Sequence, residues 1–233
     1  MKRIFTIIMI GILLVGCAKT DFLIEHDWVH YDTTCIETIY FSKDGHFAYY
    51  SDEGNPVNDS DLYDQYSYDS KSKKIHLNPT GDMSIQVLRY KKSRLLLNID
   101  GDIKEFFDSK DKIIDGANPS DLAYDKENIT DGFSSYLAIL KKDGSQIITA
   151  PANYDSDDPK FKEYELFERL ADNVEHYSWT YNVDQSDVES SCTKLTEKEA
   201  INIIKNGSAI GFVQYNKSAK ITKIVFYSSA IIE

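Results

Sequence analysis

The sequence is poor in cysteine. It has three cysteines in 233 residues, Cys17, Cys35 and Cys192, and no two of them form a C-x-x-C pair. A thiol redox activity therefore has little support. The chain also lacks a Walker loop and a dinucleotide-binding fingerprint, so the sequence predicts no cofactor.

Motifs for nucleophilic catalysis are missing as well. There is no G-x-S-x-G elbow. A literal S-x-x-K match, Ser70 to Lys73, falls in a predicted hairpin turn and not at the start of a helix. Carboxylates are too numerous for a glycosidase pair to be picked out without geometry. The sequence therefore predicts no catalytic residue, and a protein without enzymatic activity is the first expectation.

Basic residues are scarce. The chain has 26 Lys and Arg against 38 Asp and Glu. An acidic surface argues against nucleic acid as a partner and against charge-driven binding to anionic lipid head groups. Its simplest interpretation is solubility beside a negatively charged cell envelope.

An apolar run near the N-terminus is too short to span a bilayer. It covers thirteen residues, Ile4 to Gly16, after the basic start "MKR", and is typical of a secretory signal. The run ends in Leu14, Val15, Gly16 and Cys17, which resembles the lipobox of bacterial lipoproteins. That resemblance implies a signal peptide over residues 1–16, cleavage before Cys17, and lipidation of Cys17.

The lipobox resemblance also implies a location. The protein would be held on the extracytoplasmic side of a membrane in a bacterial cell envelope, with residues 17–21 as a tether. Its membrane partner would be reached through the acyl chains on Cys17, since more than one chain anchors stably. The alternative is an ordinary signal peptide with a chance cysteine. The remaining Cys35 and Cys192 could pair in a disulfide or stay as two free thiols.

Residues 22–108 consist of short apolar–polar alternating segments separated by turns. The segments are "CIETIYF", "HFAYY", "QYSYD", "KIHLN", "SIQVLRY", "RLLLNID" and "IKEFFD". Turns at this spacing without a helical period predict an antiparallel meander that closes into a sandwich or a small barrel.

This region resembles the small lipocalin-like domains of bacterial surface lipoproteins. The resemblance rests on the first strand with Trp28, the hairpin "IYFSKDGHF", the hairpin "YSYDSKSKKIHL" and the strands that end at "FF". Where lipocalins carry Gly-x-Trp, this chain has His26-Asp27-Trp28. The resemblance implies a barrel, in some members with an apolar cavity, and it implies no reaction.

The rest of the chain has a different composition. Residues 109–131 are polar and rich in turn residues, and are predicted to be a linker. Residues 132–233 are predicted to form an α+β domain with two helices. One helix is expected in "DDPKFKEYELFERLADNVEHY" from its apolar stripe, and the other in "LTEKEAINIIKNG" from a capping box of Thr196 and Glu199 before Gly207. The overall class is mainly β with an α+β C-terminal part.

The stretch "HDWVH", His26 to His30, resembles a zinc-protease signature with Asp27 in place of Glu. That chemistry needs a helix, which places both imidazoles on one face. Aromatic and β-branched neighbours predict a strand instead. In a strand the two residues lie about 13 Å apart, too far for one zinc with ligands at about 2 Å. No metal site is predicted here.

Two acidic stretches, Asp52 to Asp64 and Asp155 to Pro159, could hold calcium, but neither has the spacing of a calcium loop. Solvated loops and helix capping are the preferred interpretation. Sixteen tyrosines and two tryptophans could line a carbohydrate or apolar pocket, and strand packing explains them equally well.

Three functional hypotheses follow. The first is a lipid-anchored, non-enzymatic module that binds a small ligand or an envelope protein. The second is an envelope hydrolase with a site at the domain junction that includes His26, His30 or His176. The third is a structural or inhibitory surface module with a filled barrel. A cavity in the first domain would favour the first hypothesis over the third, and a polar cleft would favour the second.

Overall fold

A computed structural model describes most of the chain. The described residues are 22–24, 26–31, 36–52, 64–78, 83–108, 133–151, 165–183, 188–206 and 209–231. The predicted signal peptide, Cys17, Cys35, the predicted linker and Gly207 lie outside them, as does nearly all of both acidic stretches. The predictions made for those segments stay predictions, and so does the division into domains.

The first half of the described chain is a closed barrel of eight antiparallel strands in sequence order. Its first strand pairs with its eighth through Trp28 opposite Asp108 and Val29 opposite Phe107. The meander and barrel predicted from the turn spacing are therefore confirmed. The strands are β1 Asp27–Tyr31, β2 Ile36–Phe41, β3 His46–Asp52, β4 Asp64–Asp69, β5 Lys74–Asn78, β6 Ile85–Lys91, β7 Arg94–Ile99 and β8 Asp102–Asp108.

The turn between β7 and β8 shows how local sequence sets the register. Asp100 and Gly101 both have positive φ, 54° and 111°, as a two-residue hairpin turn that follows the strand twist requires. The side-chain oxygen of Asn98 accepts a hydrogen bond from the Gly101 amide at 3.0 Å. The Asp-Gly pair therefore fixes the pairing of Ile99 with Asp102.

Apolar side chains fill the interior of this barrel. Trp28 is fully buried, and its indole nitrogen donates to the carbonyl of Leu23 at 3.2 Å. Trp28 therefore packs inside the barrel. The other buried members of the interior cluster are Ile39, Phe41, Phe47, Ile75, Leu77, Ile85, Val87, Leu95, Leu97, Ile99 and Phe106.

The second half of the described chain forms a six-stranded sheet with the order β10-β9-β13-β14-β11-β12. Because β10 also pairs with β11, five of these strands form a closed ring and β12 extends it. The pairing of β11 with β14 is parallel, and the others are antiparallel. The elements are β9 Ser135–Asp143, β10 Gln146–Pro151, β11 Leu166–Val183, β12 Val188–Leu195, α1 Glu197–Lys205, β13 Ala209–Tyr215 and β14 Ile221–Ile231.

The prediction of a helix in "DDPKFKEYELFERLADNVEHY" is wrong from Leu166 onward, where the chain forms strand β11. Burial there alternates residue by residue: Leu166 and Glu168 are buried, whereas Phe167 is 56% exposed. A period of two is that of a strand, and the ladders with β10, β14 and β12 outweigh the helical pattern. The described residues therefore contain one helix, α1, whose predicted capping box of Thr196 and Glu199 is confirmed.

The barrel and the second sheet pack directly against each other. Leu96 and Phe107, on the outer face of the barrel, belong to the same apolar cluster as Leu137 and Ile139 of β9. The Glu105 amide also donates to the carbonyl of Ser134 at 2.8 Å, just before β9 begins. Strand β7 and residues 105–108 of β8 are thus buried on both faces, which places their outward side chains inside the molecule.

Candidate functional site

The histidines of "HDWVH" lie at the barrel closure. The segment is strand, as predicted, because β1 begins at Asp27. His26 Nδ1 lies 2.7 Å from the carboxylate of Asp108. His30 is buried, and its Nδ1 lies 2.9 Å from the carbonyl oxygen of Glu105. Among the described residues there is no group of three His, Cys, Asp or Glu side chains that could hold a metal ion.

The third histidine of the hydrolase hypothesis lies in the second sheet. His176 is on β11, is buried, and stacks on Phe226 with ring centroids 6.5 Å apart. It lines a pocket whose wall includes neither His26 nor His30. The structure therefore does not place the three histidines at one site. Cys192 lies exposed on β12, and because Cys35 is outside the described residues the disulfide stays a prediction.

Strand β11 contains a large bulge at the point where its pairing changes from β10 to β12. It pairs with β10 up to Arg169 and with β12 from His176. Along β14 the register shifts between Leu170 and Glu175, whose partners there are only two residues apart. In the described ladders, residues 171–174 have no pairing partner. Bulges of this kind are frequent next to functional sites.

The bulge forms one wall of a pocket of about 570 Å³, here called the bulge pocket. This volume lies in the range of small-molecule sites. Its other walls come from the end of β9 with the following turn, the end of β12, and the start of α1. The charged and titratable side chains in its lining are Lys142, Asp172, Glu175, His176, Lys194 and Glu197.

Two ion pairs flank the bulge pocket. Lys142 Nζ lies 2.5 Å from Glu197 Oε1, and Lys194 Nζ lies 2.9 Å from Glu175 Oε1. The hydrogen bonds from these two lysines lower the pKa of both glutamates. The pocket therefore presents positive and negative charges side by side, while Asp172 adds a further carboxylate.

His176 supplies a neutral imidazole to the same pocket. Burial lowers the pKa of His176 below 6.5, since desolvation outweighs the opposite effect of Glu197, and Lys142 lowers the pKa further. An unprotonated imidazole can donate and accept a hydrogen bond. The described contacts pair no hydroxyl or thiol with His176.

A second polar arrangement lies between the barrel and the second sheet. Arg94 and Glu105 of the barrel are fully buried and form two parallel bonds of 2.9 and 3.0 Å. Arg94 also donates to Glu168 at 2.9 Å and to the Thr149 hydroxyl at 3.0 Å. Arg89 pairs with both glutamates. These residues, with Tyr215, are called the junction cluster below.

In the junction cluster the positive and negative charges balance, and the side chains bond to one another. The Tyr215 hydroxyl donates to Glu168 at 2.9 Å, and the two arginines offset the two glutamates. Burial of Glu105 would raise its pKa, but Arg94 and Arg89 more than offset this and hold it below its ordinary value. Burial raises the pKa of Tyr215 well above 10. The cluster joins the two halves, because Arg94 of the barrel donates hydrogen bonds to Thr149 and Glu168 of the second sheet.

Neither arrangement was predicted from the sequence. The junction cluster left one signal: "RLLL" in β7 breaks the alternation of a strand exposed on one face, which indicates burial on both faces. The bulge left no signal in the sequence, because it depends on which strands pair with β11.

Comparisons with known proteins return no match for this chain: no family model, no curated protein and no solved structure matches it. In the part of the chain that the structure describes, no helix is both long enough and apolar enough to cross a membrane.

Proposed function

We propose that this protein is a lipid-anchored, non-enzymatic binding module of a bacterial cell envelope, and that it binds a small polar ligand in the bulge pocket. The lipobox-like sequence before Cys17 supports the anchor and the extracytoplasmic location. The observation that carries the binding role is the bulge of β11, whose residues 171–174 lack a pairing partner in the described ladders and line a pocket beside two ion pairs and a neutral imidazole.

The barrel serves as a scaffold in this proposal. A lipocalin-like origin would be consistent with its eight-stranded meander. Its interior, however, is occupied by buried aromatic and aliphatic side chains, among them Trp28, Phe41 and Phe106. The ligand site is therefore assigned to the second sheet, where the pocket is open to solvent.

The charges of the bulge pocket favour a ligand that carries both signs. Lys142 and Lys194 can each turn from a protein carboxylate to a ligand carboxylate, while Asp172 and the released glutamates receive an ammonium group. A zwitterion such as an amino acid or a short peptide fits this arrangement. The backbone groups of residues 171–174 can bond its amide.

Native mass spectrometry tests the proposal on protein made with its own N-terminus in a bacterial host. The denatured mass reports whether Cys17 carries a diacylglycerol, and Cys17→Ser is the reference. The native mass, recorded with mixtures of amino acids and dipeptides, reports bound ligand. We expect retention of a zwitterion, and no retention of the same dipeptide with both ends capped.

A matched pair of variants locates the site. Lys194→Met removes a charge from the bulge pocket, and we expect about tenfold weaker binding of the retained ligand. Lys217→Met makes the same change in the exposed turn between β13 and β14, and should leave binding unchanged. Equal affinity in the two variants would contradict the assignment to this pocket.

A further inference from the structure

A second concavity lies next to the bulge pocket, at the end of β9. It has a volume of about 450 Å³ and lies between α1 and the end of β9. Its apolar side chains are Leu140, Ile201 and Ile204, and its charged ones are Lys141, Lys142 and Lys205. We call it the lysine pocket. It shares only Lys142 and Gly144 with the bulge pocket.

The apolar part of the lysine pocket is fixed by α1. The helix buries Ala200 and Ile204 against the sheet, which turns Ile201 toward the concavity and leaves it half-buried. Leu140 of β9, which lines the same concavity as Ile201, is also half-buried. An apolar surface is therefore held open to solvent by a helix whose start is capped.

The charges around this surface are all positive. Lys142 is paired with Glu197, but no ion pair of Lys141 or Lys205 occurs among the described residues. Both of these side chains are exposed. Lys205 stands at the C-terminal end of α1, where the helix dipole favours a cation. Lys141 lies on strand β9, where no helix dipole favours a positive charge. Three lysines around an apolar surface contrast with the acidic composition of the chain.

We propose that the lysine pocket binds a single-chain anionic amphiphile, namely a fatty carboxylate. Its chain would lie on Leu140 and Ile201, and its carboxylate between Lys141 and Lys205. Charge complementarity selects the anion, and a concavity of about 450 Å³ accommodates one chain and not the flat surface of a bilayer. This ligand differs from the zwitterion of the bulge pocket, so the two proposals can fail separately.

Calorimetric titration of the whole protein in nanodiscs of zwitterionic phosphatidylcholine, with empty nanodiscs as reference, tests the proposal. The ligands are decanoate, decanol and decyltrimethylammonium, which share a chain and differ in charge. We expect saturable binding of decanoate, with decanol and the cation each at least about tenfold weaker. Equal affinity for all three would overturn the proposal, because it would show a site without charge selection.

A charge-reversal pair assigns the site. The double variant Lys141→Glu and Lys205→Glu should weaken decanoate binding at least about tenfold and leave decanol unaffected. The double variant Lys71→Glu and Lys217→Glu makes the same change of charge in two exposed turns and should bind like the wild type. All four side chains are exposed, so folding is expected to persist, and the melting temperature of each variant checks this.

Two other outcomes would overturn the proposal. One is an unchanged affinity for decanoate in the Lys141 and Lys205 variant. The other is that this variant loses binding to vesicles that contain anionic lipid although the wild type never binds decanoate. The surface would then be a membrane-facing one.

Discussion

At the scale of single residues, His176 couples the candidate ligand site to stability. Its ring is buried against Phe226, with Lys142 and Glu197 as the charged groups that act on it. The pKa of His176 is lowered from 6.5 chiefly by burial, so the unfolded chain takes up the proton more readily than the folded one. The contribution of the neutral ring to stability is full above pH 6.5 and is lost as the pH falls through the lowered pKa.

The substitution His176→Gln tests this linkage, because glutamine keeps hydrogen-bonding groups and does not titrate. We expect the free energy of unfolding of the wild type to fall more between about pH 7.5 and about pH 5.5 than that of the variant. Denaturant titrations at several pH values measure the two slopes. The lowered pKa of Glu105 acts at more acidic pH, below 4.5, and is common to both proteins. Parallel curves would show that His176 has no lowered pKa.

At the scale of elements, α1 begins where its local sequence predicts, at the capping box of Thr196 and Glu199. Thr196 accepts a hydrogen bond from the Glu199 amide, and the Glu199 carboxylate receives one from the Thr196 amide. This reciprocal cap defines where α1 begins. The helix contributes to both pockets, since Glu197 lines the bulge pocket and Ile201, Ile204 and Lys205 line the lysine pocket.

Thr196→Ala should lower the free energy of unfolding by about 1 kcal/mol, since it leaves an amide of the first turn without its partner. Chemical denaturation measures the difference. Thr193→Ala makes the same change at an exposed position of β12 and is expected to cost no more than about 0.5 kcal/mol. A loss as large at residue 193 as at 196 would show that capping is not the cause.

The elements also show how far the sequence alone predicts this fold. The barrel hairpins follow from turn residues such as Asp100-Gly101, and α1 follows from its capping box, because both signals are local. Strand β11 does not follow, because its inward face includes Glu168. A buried glutamate is acceptable only with a partner, and that partner, Arg94, lies 74 residues earlier in the chain.

At the scale of the whole molecule, the junction cluster joins the barrel to the second sheet. Arg94 donates hydrogen bonds to acceptors in its own barrel, in β10 and in β11. Removing one member of a buried charged network leaves the others without compensation, which costs far more than the loss of an exposed pair. The two sheets are therefore expected to unfold together.

Glu168→Gln should lower the free energy of unfolding by about 3–5 kcal/mol, because Arg94 and Arg89 would then share a single buried carboxylate. Glu175→Gln makes the same change at the exposed pair with Lys194 and should have little effect. Fluorescence can follow each half separately, since Trp28 lies in the barrel and Trp179 in the second sheet, and the chain has two tryptophans.

Trp179→Phe leaves Trp28 as the reporter, and Trp28→Phe leaves Trp179. In each background we expect Glu168→Gln to shift the transition to lower denaturant by the same amount. A shift seen by one reporter and not by the other would mean that the halves unfold independently.

The position of β14 has a consequence for the order of events during synthesis. Although β14 is the last described strand in the chain, it lies between β13 and β11 in the middle of the sheet. Until residues 221–231 have been made, β13 and β11 each present an edge without its partner. The second sheet can therefore close only after residues 221–231 have been synthesised, so β9, β10, β11 and β13 must wait for a strand made later than any of them.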